Sequence, residues 1–598
     1  TSPNVMSFLG ITVHWHWDGE IRHVILDFVR LTSAHTGAYL TEKLVECLKE
    51  YGIKEKVLAV TCDNAESNAV MLREMMKILP GFRGPQVRVR CFGHVLNLAV
   101  NAILSQFDCK KLASKTSDDS DNDSKAVMEA VRLLRDLDNE EPDEAPEPGD
   151  DDDEQGDKSR EAADTALLDR LDDENPELVL TREEIGAGQL ALEKILKLSK
   201  KVWNSPTVCA ELAELAVAAG LDYEVLIRPV RTQWNTITEV IERALEMRDV
   251  LGGLCDKVQF NRQDGVRLHR FMLTKKEWVL LEQLHRLLGP FLFATNQISS
   301  SSRALVHKVI PYIDILTRHL DDFIDDDDLV PLVCAAAEHG RLVLNKYYTR
   351  TDESLIYRIA MILHPAYKAQ YFCDQQWEEE WIEEAKMLIR EEWEENYKPG
   401  HDTEGKGKAP EDTPPNDAAS GKAPKPGKGH HSAQAANNIV TQAMFALVSK
   451  STKRMSAADP LEAYLETPPV PSIEDPLYHW NLVLQSCKDD SPDAALAQMA
   501  LDFLSVPAAS TDAERAFSCG HLTVLWLRHS LGEDSVRAGM VVGSWVRIPD
   551  LLDEESLAKS MKPPAPRPVK KCATAKETSG PSRAQGGPKE GVEIVVVD

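Results

Sequence analysis

A chain of 598 residues, 43% of them hydrophobic, is long enough for roughly three or four domains with cores of their own. No apolar run approaches the roughly 20 residues that cross a bilayer, and the first residues lack the basic-then-apolar order of a signal peptide. A net charge of −29, 68 basic against 97 acidic residues, excludes a surface that coats nucleic acid uniformly. Eleven cysteines without a C-x-x-C pair fit reduced thiols better than a disulfide framework.

Residues 7–17 alternate, with Leu9, Ile11, Val13, Trp15 and Trp17 on one face and Thr12, His14 and His16 on the other. This is the period of a half-buried strand, and the histidine face is read as polar, solvated or covered. Asp18-Gly19 suits a tight hairpin turn, with IRHVILDFV as the returning strand. A helix over 36–51 leads to the apolar run 57–61, which ends at Asp63 and is followed by NAESNAVML. An apolar strand that delivers an acid at its C-terminal end places a carboxylate at the edge of an α/β sheet; capping of the next helix is the plainer role for the same residue. The next strand, QVRVRCF, runs into Cys91 and His94, only half of a zinc site.

Between Asp118 and Glu177 stand 25 acidic and 6 basic residues, a local charge of −19 that leaves −10 for the rest. Such a segment buries little apolar surface and reads as a disordered spacer. From about 185 to 397 the apolar spacing is helical, as in LALEKILKLSKKVW and EWVLLEQLHRLLGPFL. Residues 398–437, rich in Pro, Gly, Lys and Ala, read as a linker. After it come DPLEAYLETPPV, IEDPLYHWNLV with Tyr478 and Trp480, the apolar LAQMALDFL, and the segment LSVPAASTDAERAFSCG. In that segment Pro507 ends one helix, and Thr511 with Glu514 offers a T-x-x-E capping box for the next. The tail, 549–598, is disordered by composition and closes on VEIVVVD, a β-branched run able to add to a partner sheet.

Several of these blocks resemble hAT-superfamily DNA transposases: LSVPAASTDAERAFS, TCDNAESNAVM, CFGHVLNL, RTQWNT, IAMILHPAYK, and the R-x-x-L pattern in LRHSLGEDSVRAGMVVGSW. The resemblance implies an α/β ribonuclease H-like core over 1–104, interrupted by an acidic segment (105–184) and a large all-α insertion domain (185–397). After the linker the core would close within a C-terminal helical dimerisation region over 438–548. It makes Asp63 and Glu514 the second and third carboxylates of a three-acid Mg2+ site, which holds two ions for strand transfer.

In the family the first acid lies in a D-x-W-T-S block. Thr1-Ser2-Pro3-Asn4 looks like the end of that block, so the first aspartate and its strand are expected upstream of residue 1. With two acids of three, the expectation is a catalytically inactive, domesticated or degenerate member; the alternative is an active transposase whose N-terminus, with a BED zinc finger, is not in this sequence.

By the same resemblance His94 and Trp234 are DNA contacts. Gln233 stands where the family has arginine, and His364 and Ala366 stand where it has Asp and Arg, departures that leave core packing open for Trp234. Tyr478, Trp480, Phe517 and Trp545 would anchor a homodimer or higher homo-oligomer. Ile594, Val595, Val596 and Val597 resemble a SUMO-interaction motif. DNA as partner and a nuclear location complete the expectation.

Overall fold

The computed structural model describes residues 7–33, 35–107, 182–229, 234–262, 267–299, 305–399, 459–523, 533–548 and 593–597, with a few isolated positions besides. The acidic segment and the Pro/Gly/Lys linker, apart from their margins, and most of the tail therefore lie outside the described residues. The chain forms two compact units, residues 1–364 with 501–598, and residues 365–500.

The first unit is mostly helical around one small sheet. Its strands are β1 (Ser7–Trp17), β2 (Glu20–Leu31), β3 (Val57–Cys62), β4 (Arg88–Arg90) and β5 (Glu593–Val597). The order across the sheet is β2-β1-β5-β3-β4. β1 and β2 are antiparallel, and Trp17 faces Glu20 across a two-residue turn. Asp18 and Gly19 both take positive φ there, +52° and +78°, the hand of turn that suits a twisted hairpin. One bulge falls in this ladder, where Ile11 faces Asp27 and Thr12 faces Ile25, so Leu26 is the extra residue.

β3 and β4 are parallel, and the VLAVTC run of β3 is buried along nearly its whole length, as a strand covered on both faces must be. β5 lies between the two halves, antiparallel to β1 and parallel to β3. Within the tail expected to be disordered, Glu593–Val597 is thus a strand with both backbone edges paired within the chain. A run of β-branched residues without Gly or Pro suits a central strand as well as an edge one, and the sequence pattern could not tell the two apart.

Helices α1 (Gly37–Glu50), α2 (Glu66–Ile78) and α3 (Phe92–Ser105) follow strands of this sheet. Thr36 caps α1 by accepting the Tyr39 N–H at 3.3 Å. The helices α4 (Arg182–Asn204), α5 (Pro206–Ala219), α6 (Trp234–Glu246), α7 (Arg248–Cys255), α8 (Lys275–Ile298), α9 (Val309–Ile324), α10 (Pro331–Thr349) and α11 (Leu355–Leu363) come next. α8 opens with a full capping box between Thr274 and Glu277. Gly340 of α10 lets that helix approach α3 closely, since a Cβ there would meet Ile103 at 2.8 Å. α11 is tied to the sheet side: the Arg90 N–H donates to the Tyr357 hydroxyl at 2.9 Å, and Ser354 donates to the Gln86 carbonyl at 3.3 Å. The helical stretch expected as one domain over 185–397 is accordingly divided at residue 364.

The second unit holds α12 (Gln370–Asp374), α13 (Glu379–Glu392), α14 (Pro460–Glu466), α15 (Pro476–Ser486) and most of α16 (Pro492–Leu504). Its centre is Lys368, buried and at φ +52°. The Lys368 ammonium donates to the Tyr464 carbonyl (2.7 Å) and to the Thr467 carbonyl (3.0 Å) and hydroxyl (2.5 Å), and it lies 3.8 Å from the centre of the Tyr464 ring. Burial pulls its pKa down to about 8. Arg390 grips Glu462 with two bonds of 2.6 and 3.0 Å, and the Trp393 indole donates to Asp459 at 3.1 Å.

Back in the first unit, α17 (Thr511–Thr523) and α18 (Glu533–Trp545) return to the hairpin. Phe28, Ala516, Val536 and Met540 form a buried cluster, with Phe8, Ile25 and Phe517 packed against it. No helix among the described residues is long and apolar enough to cross a membrane.

Candidate carboxylate site

Asp63 follows the last residue of β3 and is 5% exposed. Its Oδ1 accepts from the Ala65 N–H (2.8 Å) and from the Asn68 amide (2.6 Å), while its carbonyl accepts from the Arg88 guanidinium (2.6 Å). The side chain therefore closes an Asx turn into α2, two residues ahead, instead of sitting at the N-cap itself, which is Ala65.

Glu514 is exposed on the first turn of α17. The hydroxyl that meets its Oε1, at 3.2 Å, belongs to Ser510, one residue ahead of the Thr511 suggested by the T-x-x-E spacing. The segment before this helix is stitched to the end of β3 and the start of α3. Thr61 donates to the Pro507 carbonyl (3.0 Å), the Phe92 N–H to the Ala508 carbonyl (2.8 Å), and the Ser510 N–H to the Cys91 thiol (3.3 Å). The Cys91 N–H in turn donates to the Cys62 carbonyl at 2.8 Å. Two stretches more than four hundred residues apart thus share one end of the sheet, with Asp63 on one and Glu514 on the other. Burial, with the charge of Glu514 as the next contribution, pushes the Cys91 thiol up to about 12, so it is a neutral core group.

The histidine face of β1 is covered by α17 and the end of α16. His14 and His23 stack with centroids 5.5 Å apart, and both face Asp512 of α17, at 3.9 and 3.5 Å. Arg515 bonds the same carboxylate at 2.9 Å, and His16 lies 3.7 Å from Asp502. Burial lowers the His14 pKa to about 4 against the pull of Asp512, with His23 lowering it further.

The other expected site residues take separate places. His94 is half-buried on the first turn of α3. Trp234 opens α6 with its ring 5% exposed, which is core packing; stacking on a base needs an open face. Arg231 to Gln233 lie outside the described residues. Trp480 is 4% exposed and packs on Tyr464 and His479, whereas Tyr478 is 45% exposed. Phe517 lies against Phe28 at 5.1 Å and over Gly10, where a Cβ would come within 3.0 Å of its ring. Trp545 donates its indole N–H to the Ile25 carbonyl at 2.8 Å and meets Tyr51 edge-on. Trp480, Phe517 and Trp545, expected as dimer anchors, are thus engaged within the chain.

Sequence reading missed a further long-range tie. Asp27, 1% exposed, is gripped by Arg537 of α18 through two bonds of 2.5 Å each, and Ser544 accepts the Ile25 N–H at 2.9 Å. A lone acid in the apolar run VILDFV was the available signal. Among the described residues no group of three or more His, Cys, Asp or Glu is arranged to hold a metal ion.

The chain is mostly helical with one small mixed sheet, and a segment from far downstream packs at the strand end that carries Asp63. Residues 1–83 match the family described as the ZBED1 RNase-like domain, and residues 460–546 match the hAT family C-terminal dimerisation region. Over 388 residues, 64% of this chain, it is 24% identical to tpeD of Talaromyces stipitatus, named as a transcriptional regulator, and covers 36% of that protein. Over 330 residues, 54% of the chain, it is 24% identical to the human zinc finger BED domain-containing protein 4 and covers 24% of it. Over 105 residues, 16% of the chain, it is 29% identical to a Zea mays protein named as AC transposase and covers 13% of it. The chain therefore spans well under two thirds of the length of the relatives it matches. The chain is similar to hAT-transposase-like proteins, and its residues 460–546 match the family's C-terminal dimerisation region.

Proposed function

We propose that this chain works by association with copies of itself and by contact with nucleic acid, as a descendant of hAT transposases that does not itself carry out strand transfer. The sheet, with its antiparallel hairpin on one side and its parallel pair ending in Asp63 on the other, supports a ribonuclease H-like origin for the core. DNA as partner implies a nuclear location, and half-buried His94 on α3 suits a contact better than buried Trp234 does.

The observation that most supports the non-catalytic reading is the commitment of Asp63. Its Oδ1 serves the Asx turn and the Asn68 amide, at 2.8 and 2.6 Å. Two Mg2+ ions bridged by carboxylates need several donors together, and among the described residues no group of three or more His, Cys, Asp or Glu is arranged to hold a metal ion.

One observation favours the second reading, an active DNA transposase in a longer protein. The Pro507–Ser510 segment draws the Glu514 helix to the strand end that carries Asp63. Incubation of the protein extended upstream of residue 1 with Mg2+ and DNA bearing hAT-type terminal repeats separates the two. The first reading expects uncut DNA and no difference in Glu514→Gln, whereas Mg2+-dependent nicks that Glu514→Gln abolishes would establish the second.

A further inference from the structure

In the second unit, the turn from α12 into α13 sets two indoles at right angles. Gln376 takes a positive φ of +60° in that turn, and the Trp377 N–H donates to the Phe372 carbonyl at 3.0 Å. The Trp377 ring stacks on Phe372, itself 0% exposed, with centroids 4.4 Å apart, so its plane is fixed from below. Four residues on, Trp381 of α13 stands edge-on to Trp377, at 6.3 Å and 85°. Trp381 is 51% exposed, an unusual place for so large an apolar ring.

The surround of this corner is acidic. From Glu378 to Glu395 stand nine acidic and two basic residues. Both basic side chains are engaged: Lys386 bonds Glu383 at 2.7 Å, and Arg390 holds Glu462. Glu378, Glu379 and Glu380, between the two indoles in sequence, are all exposed. Trp381, Glu384, Leu388 and Glu391 then recur at helical spacing and share one side of α13, the two glutamates exposed and Leu388 half-buried. Acids in the first turn suit the start of a helix, but Glu384 and Glu391 lie beyond the reach of that effect.

We propose that the Trp377–Trp381 corner is a docking site for a basic peptide. A lysine or arginine of the partner enters between the rings, and further cations lie along Glu384 and Glu391. Indole offers the strongest aromatic face for a cation, and two rings at right angles offer it two such surfaces. The carboxylates draw cations toward the corner and repel phosphate, which disfavours nucleic acid as the occupant. Charge alone would attract a basic peptide without placing it; the rings give the contact a position. All of these residues belong to the second unit, and none of them serves the carboxylate site, so the docking site stands apart from the function proposed above.

Fluorescence anisotropy of a labelled lysine-rich peptide, against a counterpart with glutamine at every lysine, tests it on the full chain. The lysine peptide is expected to bind and the glutamine peptide not to. Trp381→Ala should weaken binding at least roughly fivefold, with Trp381→Phe recovering part of the loss. Glu384→Gln with Glu391→Gln should weaken it by a smaller factor that shrinks as salt is added. A chain of net charge −29 attracts any basic peptide, and that attraction survives Trp381→Ala. Equal binding by the wild type and Trp381→Ala therefore overturns the proposal, as does equal binding, or none, of the two peptides. Two further results overturn it by assigning the corner to another occupant. One is a single-stranded oligonucleotide that binds the wild type and not Trp381→Ala; the other is a molar mass in solution that falls in Trp381→Ala, the mark of a second copy.

Discussion

The sheet of the first unit and the centre of the second unit solve the same problem in opposite ways. The second is built around Lys368, which draws in carbonyls from a segment about a hundred positions further on. The first is closed by partners from nearly the whole length of the chain: Asp27 with Arg537, Ile25 with Trp545, Thr61 with Pro507, and β1 with β5. A unit tied across 500 positions depends on its last helices and strand to keep its first hairpin covered. The second unit has no such debt to the ends of the chain.

Acid should break both regions, and it is the largest effect expected. His14 and His479 each have a pKa lowered by burial from 6.5 to about 4. Between those values the unfolded chain holds more protons than the folded one, so stability is intact above 6.5 and falls as pH drops toward 4. The loss approaches about 3 kcal/mol for His14 at the low end. Urea midpoints measured from pH 7 to pH 4.5 should fall steadily. His14→Gln should flatten the part of that slope belonging to the sheet, and His479→Gln the part belonging to the second unit.

The long-range tie is tested next. Arg537→Ala leaves the carboxylate of Asp27 buried with the Phe28 N–H as its remaining bond on Oδ1, at 2.7 Å. A loss of about 2–3 kcal/mol is expected, below that for a fully enclosed pair because the arginine side chain is 40% exposed. Urea denaturation read from Trp545 fluorescence, with Arg537→Lys recovering only part of the loss, would check it. Smaller again is Lys368→Met in the second unit, which removes the ammonium's bonds to the Tyr464 carbonyl and to the Thr467 carbonyl and hydroxyl; about 2 kcal/mol is expected, measured the same way. If Arg537→Ala cost nothing while Lys368→Met cost its full amount, the contrast between the two regions would be lost.

That contrast also explains what could be read from the sequence. The hairpin was legible because its signal is local: period-2 alternation, then Asp18-Gly19, which the positive φ values of the turn bear out. The position of Asp63 was legible for the same reason, an apolar run ending in an acid. Its Asx turn and its partner Asn68 follow from the next five residues. The cover over His14 and His23 was not legible, because Asp512 arrives from the other end of the chain. Nor was the central place of β5: a β-branched pentapeptide has the same pattern at an edge as in the middle of a sheet, and only its neighbours distinguish the two. The aromatic rings were assigned to an interface by type, yet Trp480, Phe517 and Trp545 pack inside the chain, while Tyr478 is 45% exposed. Sequence gives a ring its appetite for burial but not the surface that satisfies it.

Self-association is the claim on which the proposed function turns, and molar mass in solution tests it most directly. Size-exclusion chromatography with light scattering at micromolar concentration should give at least twice the 66.7 kDa of one chain. A full-length protein that elutes at 66.7 kDa would contradict the account.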